Sequence, residues 1–252
     1  MRSGTPPIGA VARTLDFLEA IVADGGAHNV RSLAEATGLP HATAHRQVRT
    51  LIAQGYLTPI AKGLHVAGPR LIKLGTAVDP LATLVRAARP MLHQLARSAK
   101  GTAHLGVLEN DMVTYLVKVG SAGEQLFTQE GKQLEAYCSG IGKVLLAYLG
   151  EAERERYLAD GPFTALTPKT ITDPELLRTE LAATRARGFA IDDEEIAPSL
   201  QCVAVPLLTA DGTVCAAISV TKVGAAATAE ALSSLAATLR GAAHALVLRV
   251  LG

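Results

Sequence analysis

Apolar residues Val11, Leu15, Leu18, Ile21 and Val22 recur at the spacing of one helix face, and the run stops at the breaker cluster Asp24-Gly25-Gly26. A first helix is therefore expected over residues 10–23. A second, shorter helix is expected over 30–37. Asn29 suits its N-cap, Leu33 and Ala34 form its buried side, and Gly38 supplies the left-handed residue that ends it. Leu39-Pro40 turns the chain. From His41 to Gln54 the apolar set Ala44, Val48, Leu51 and Ile52 defines one face, leaving Ala42, Thr43, Arg46, Arg49 and Thr50 on the other. Residues 55–60 and 64–66 flank Ala61-Lys62-Gly63 as a short hairpin with a basic tip. Helix, short helix, turn, outward-polar helix and hairpin together describe an all-α-rich winged helix-turn-helix.

The rest of the chain has a different rhythm. RLIKLGTAV and then residues 81–99 read as linker helices, broken at Asp79-Pro80 and again before Pro90. Residues 102–108 and 112–119 alternate around Glu109-Asn110-Asp111 as a β-hairpin. Helices are expected at 141–149, 151–159 and 174–187, a second strand pair at 201–208 and 214–221, and a last helix at 228–250. Strand pairs with helices between them imply an α+β domain whose antiparallel sheet is covered by helices. The expected organisation is a DNA-binding domain over 8–68, a helical linker over 69–79 and a second domain over 80–252.

Composition narrows the function classes. The 252 residues are 49% hydrophobic and only 4% aromatic, as in an ordinary globular protein. Cys138, Cys202 and Cys215 show neither CxxC nor Cys/His ligand spacing, which argues against a disulfide framework and structural zinc. The first apolar run is interrupted by Arg13, Asp16 and Glu19, unlike a secretory leader, and no apolar run suggests a membrane span. The expectation is a cytoplasmic protein without a membrane partner. Net charge is +1 overall, but residues 1–75 carry +4 and the remainder −3. A basic module on a more acidic one fits a DNA-contacting domain joined to one that does not touch DNA.

On the third helix, Arg46 and Arg49 can pair with phosphate or guanine edges, and Thr43 with phosphate or a thymine methyl. Lys62 in the wing can reach a backbone phosphate. Arg13, Arg31, His41, Ala42, Gln47 and Thr50 complete the candidate DNA-binding set. Any one of these, taken alone, also reads as solvated helix surface. His41, His45 and His65 fit packing or capping better than metal ligation, and no metal, cofactor or catalytic residue is assigned.

The segment SLAEATGLPHATAHRQVRTLIAQGYL resembles the helix-turn-helix of the IclR family of bacterial transcriptional regulators. RLIKLGTA resembles the family's linker, SGIGKVLLAYL its Gly-Lys helix, and residues 167–221 its C-terminal signature, so the likeness spans essentially the whole chain. The resemblance implies a GAF-like effector-binding domain for a small organic acid, and a homodimer or dimer of dimers on palindromic double-stranded operator DNA. It also implies an effector pocket at Gly140, Ile141 and Gly142, with side chains from Asp192, Cys202, Ser219 and Thr221. Amides at a helix N-terminus favour a carboxylate, and hydroxyls two apart on a strand share a face. The same residues admit plainer readings: Gly140 and Gly142 for tight packing, Cys202 as an inert thiol, Asp192 as part of an exposed acidic run with Asp193, Glu194 and Glu195. The sequence departs from the family pattern at His41-Ala42, at Ser199 where glycine is usual, and along GEQLFTQEGKQLEAYCSGIGK. That stretch places a pocket wall near Phe127, Tyr137 and Cys138, where Leu126, Phe127 and Tyr137 suggest an apolar surface suited to an aromatic or hydrophobic acid. Two further functions stay open: an enzyme using the Cys202 thiol, and a DNA-binding protein that takes no ligand.

Overall fold

The structure, a computed structural model, describes residues 6–120, 126–224 and 227–250. They divide into two compact units after Asp79, each considered by itself.

In the first unit α1 (Gly9–Asp24), α2 (Val30–Ala36) and α3 (His41–Ala53) are followed by β1 (Leu57–Ala61), β2 (Leu64–Ala67) and α4 (Pro69–Ala77). Local chemistry sets the boundaries. The Asn29 side chain accepts from Ser32 N at 3.0 Å at the start of α2, and Gly38 takes a left-handed φ of 68° beyond its end. Phe17, Leu18 and Ile21 of α1 join Val30, Ala34, Leu39, Ala44, Val48, Leu51 and Leu57 in one core. The expected face of α1 is corrected here. Phe17 is central to the core, whereas Val11 and Leu15 are 53% and 52% exposed and Val22 is exposed too. Two apolar stripes run along α1 and only one packs within this unit. α4 has no fully buried residue, and it exposes Ile72 and Leu74.

The second unit begins with α5 (Pro80–Ala99), then β3 (Thr102–Glu109), β4 (Met112–Val119) and β5 (Gln133–Glu135). After α6 (Gly140–Tyr148), α7 (Glu151–Ala159) and α8 (Pro174–Arg187) come β6 (Ala190–Asp193), β7 (Leu200–Leu208), β8 (Val214–Val223) and α9 (Ala229–Val250). Among the described residues the strands form one antiparallel sheet in the order β5-β4-β3-β8-β7-β6. Asn110 and Asp111 both take positive φ, the turn that best matches the twist of the β3–β4 hairpin. The sheet is covered on both faces. Leu105, Val117, Val203, Ile218 and Val220 pack with α5 and α9 on one side, and Tyr115, Ala204 and Ala217 with α6, α7 and α8 on the other.

Three expectations change. Pro90 does not break its helix but lies within α5 on the exposed side. Leu84, Ala88, Leu92 and Leu95 form a buried stripe on both sides of it. Burial of that stripe outweighs the roughly 3 kcal/mol that an interior proline costs. The short strands β5 and β6 were not anticipated, and β6 carries Asp192. By length and composition alone α9 could cross a membrane. In the fold it instead lays Ala236, Leu239, Ala243 and Leu246 into the core.

Candidate functional site

On the first unit, α3 turns Ala44, Val48 and Leu51 inward and leaves Arg46 and Arg49 exposed. Arg13 of α1 and Thr43, Arg46, Gln47 and Thr50 of α3 line one groove of about 260 Å³. The groove thus gathers five of the expected DNA-binding residues. Gln47 Oε1 is buried there without a hydrogen-bond partner among the described residues. The Thr50 hydroxyl is already committed, donating to Arg46 O at 2.9 Å. Ala42 and His41 are exposed at the start of α3, with His41 Nε2 3.4 Å from Glu35. Arg31 stands apart on α2 in an exposed ion pair with Glu35 at 3.3 Å, the kind that contributes little to stability. Lys62 is exposed at the hairpin tip beside Gly63, whose φ of 77° allows the tight turn. His65 is buried in the hairpin, and burial lowers its pKa.

In the second unit a small cavity of about 20 Å³ lies at the N-terminus of α6. Of the expected effector residues it brings together Gly140, Asp192, Cys202 and Thr221, joined by Ser139 and by Tyr115, Leu126, Phe127 and Thr128. Strand register explains the grouping, since Asp192 pairs with Cys202 and Cys202 with Thr221 across neighbouring strands. The Ser139 side chain caps α6 by accepting from Gly142 N at 3.1 Å. The Gly140 and Ile141 amides remain at the helix end with no acceptor among the described residues.

The other expected residues do not line the cavity. The Ile141 side chain is in the core against Gly106, and Gly142 is packed on Ala136, where a Cβ would sit 2.1 Å from the carbonyl oxygen. Ser219 is buried beside the site, paired with His104 and Ala204 in the sheet. Of the expected wall, Leu126 and Phe127 are present. Tyr137 instead stacks on Phe163 at 4.7 Å and donates to Thr164 O at 2.8 Å, and Cys138 is in the core beside it. Tyr115 takes the aromatic place that the sequence suggested for Tyr137.

Asp192 is not part of an exposed acidic run. It is 1% exposed, and desolvation raises its pKa to about 7 although Glu195 N donates to it at 2.8 Å. Glu195 is buried as well, while Asp193 and Glu194 turn outward and share Lys169. Burial pushes the Cys202 thiol up to about 11, against hydrogen bonding from Thr221 and Ser219. A thiol so held is protonated at neutral pH and a poor nucleophile.

Sequence reasoning missed the buried charges behind the cavity. Lys143 of α6 contacts Glu195 closely and lies 3.5 Å from Glu180, which Arg187 holds at 2.7 Å. The available signal was a lysine in the middle of an otherwise apolar helix. His104 was also missed as part of the site. Its Nε2 is 3.0 Å from the Thr128 hydroxyl, and burial lowers its pKa to about 3, which keeps the ring neutral.

Residues 10–60 match the IclR helix-turn-helix domain, and residues 78–248 match the family described as bacterial transcriptional regulator IclR C-terminal. The chain is 32% identical over 216 residues to the HTH-type transcriptional regulator XynR of Escherichia coli (strain K12), covering 85% of this chain and 86% of that one. Among solved structures it resembles the Agrobacterium tumefaciens repressor BlcR, with a TM-score of 0.75 and 25% identity over 98% of each chain. It also resembles an IclR homolog of Microbacterium hydrocarbonoxydans complexed with 4-hydroxybenzoate, with a TM-score of 0.61 and 28% identity over 94% of this chain and 97% of that one.

Proposed function

The chain belongs to the IclR family of bacterial transcriptional regulators, and from that premise we propose that its operator affinity is set by a small aromatic carboxylic acid bound in the second unit. The cavity at the start of α6 carries the reading. The effector carboxylate is received by the Gly140 and Ile141 amides, where unpaired donors and the helix dipole favour an anion. Asp192, whose pKa near 7 leaves much of it protonated at neutral pH, donates a hydrogen bond instead of repelling the ligand. Tyr115, Phe127 and Leu126 supply the aromatic and aliphatic walls. The 4-hydroxybenzoate held by the Microbacterium homolog is a ligand of this chemistry.

In this reading α3 enters the major groove. Thr43, Arg46, Gln47 and Arg49 face bases and phosphates, with Arg13, Arg31, His41, Ala42, Thr50 and Lys62 around them. The chain acts as a homodimer or a dimer of dimers. The exposed stripe Val11, Leu15 and Val22 on α1, together with Ile72 and Leu74 of α4, supports self-association. The effector then acts by favouring one arrangement of the paired DNA-binding units over another.

The test is binding of the purified protein to DNA upstream of its own gene across a salt series, with benzoate, 4-hydroxybenzoate and short aliphatic acids. Sequence-specific, salt-sensitive binding that an aromatic acid alone shifts is the expected result. A shift by aliphatic acids only would overturn the aromatic assignment, and no shift by any acid would overturn the effector site.

A further inference from the structure

At about 20 Å³ the cavity has room for about one water molecule and none for a benzoate-sized acid, so a wall must move to admit one. The floor cannot yield easily. Cys202 and Thr221 sit on strands hydrogen-bonded to neighbours on both sides, and Gly140 is pressed onto Cys202, with only 3.0 Å from its Cβ position to the sulfur.

The wall made by Leu126, Phe127 and Thr128 is different in kind. Residues 126–130 belong to no helix or strand. The Lys118 ammonium donates to Leu126 O at 2.9 Å and to Thr128 O at 2.6 Å. The Thr128 hydroxyl is hydrogen-bonded to the buried His104 ring, whose other nitrogen has no partner among the described residues. Glu130 receives Arg89 in an exposed pair and the Lys118 amide at 3.0 Å. Phe127 faces both the cavity and solvent, with 45% of its surface exposed. This segment is therefore held over the cavity chiefly by polar contacts, with Thr128 its one buried residue and no member in a hydrophobic core, the condition under which local opening is cheapest.

We propose that residues 126–130 form a lid over the effector cavity, latched by the hydrogen bond between Thr128 and His104 and by Lys118 on the Leu126 and Thr128 carbonyls. His104 and Lys118 are then positioning residues that set how readily an acid enters. The role in effector admission rests on the function proposed above; the latch itself does not depend on it.

Cys202 beneath the lid and Cys138 in the core give an internal comparison in one molecule. The full-length protein is treated with excess iodoacetamide, and alkylation of each cysteine is followed by mass spectrometry of its peptide. Thr128→Val keeps the side-chain shape and removes the hydroxyl, while Thr128→Ser keeps the hydroxyl. Loss of the one buried hydrogen bond in Thr128→Val, or of the two partly buried ones in Lys118→Met, is expected to speed Cys202 labelling about tenfold, with Cys138 unchanged and Thr128→Ser like the parent. Equal acceleration of Cys202 and Cys138 would show a loosened fold and overturn the lid, as would an unchanged Cys202 rate. Because no effector is needed, selective release of Cys202 alongside DNA binding that ignores every acid would keep the lid and remove the effector site.

Discussion

The ammonium of Lys143 is buried against the carboxylate of Glu195, tying the first turn of α6 to the connection between β6 and β7. Glu195 Oε2 has no partner among the described residues, so the pair is incompletely satisfied even when intact. Removing one member leaves an uncompensated buried charge, and Lys143→Met should cost about 3–5 kcal/mol in urea unfolding. Pairing it with Glu195→Leu should recover most of that loss. A double-mutant cycle that finds the two changes additive would contradict this coupling.

Asp192 makes stability depend on pH in the direction opposite to a surface ion pair. Its folded pKa of about 7 lies above the ordinary 3.8, so the folded state is the better proton binder between those values. The contribution is complete below about pH 4 and is lost as pH rises through 7, at about 1.4 kcal/mol per unit for a single group. Asp192→Asn keeps an oxygen to accept from Glu195 N. It should flatten the pH–stability curve across that window and leave the variant more stable than the parent at pH 8. Glu195, also raised by burial, retains a smaller slope of the same sign.

Gly142 and Gly140 are neighbours on α6 with unequal tolerance. A Cβ at Gly142 would lie 2.1 Å from Ala136 O and 2.4 Å from Ala136 Cα, both backbone atoms. Gly142→Ala should therefore destabilise by at least about 3 kcal/mol in thermal melts. At Gly140 the nearest atom is the Cys202 sulfur at 3.0 Å, so Gly140→Ala should cost about 1 kcal/mol and shrink the cavity. Near-equal melting losses would refute the distinction.

Ser199 has a φ of 60°, the left-handed conformation that glycine adopts without strain. That geometry is the one for which the resemblance leads one to expect glycine at this position. Ser199→Gly should stabilise the second unit by up to about 1 kcal/mol, visible as a melting temperature roughly 2–4 °C higher. A lower melting temperature would mean that the Ser199 side chain matters more than its backbone.

Arg49 and Lys62 are exposed and make no ion pair among the described residues. Lys62→Ala should weaken binding to all DNA sequences alike and reduce the salt slope by about one. Arg49→Ala should cost about 1–3 kcal/mol if it reads a base, and do so for the operator only. Both should leave stability within about 0.5 kcal/mol of the parent. Unchanged DNA affinity in both would remove α3 and the hairpin tip as the interface.

Much of the architecture was legible because local chemistry and burial agree. Asn29, Gly38 and the Ala44–Val48–Leu51 stripe mark the same helices in sequence and in space, and Asn110-Asp111 marks its hairpin turn. Agreement fails where burial is two-sided or decided from far away. The α1 pattern holds two apolar stripes, and nothing local says that Phe17 rather than Leu15 enters the core. Pro90 reads as a break because the stripe that holds α5 together gains its energy from tertiary packing, against the β3–β4 hairpin that follows it and against α9 far along the chain. β6 is four residues long and acidic, so neither length nor alternation announces it.

The site divides in the same way. Helix periodicity by itself determined that α3 presents arginines outward, and the family resemblance implied that a helix N-terminus, a carboxyl, a thiol and hydroxyls receive an organic acid. Only the tertiary structure decided that Asp192 and Glu195 turn inward while Asp193 and Glu194 turn out. It also decided that Tyr115 and not Tyr137 meets the cavity, and that His104 reaches Thr128. These outcomes depend on which strands pair and on what each face of the sheet packs against, a long-range choice that no window of neighbouring residues contains.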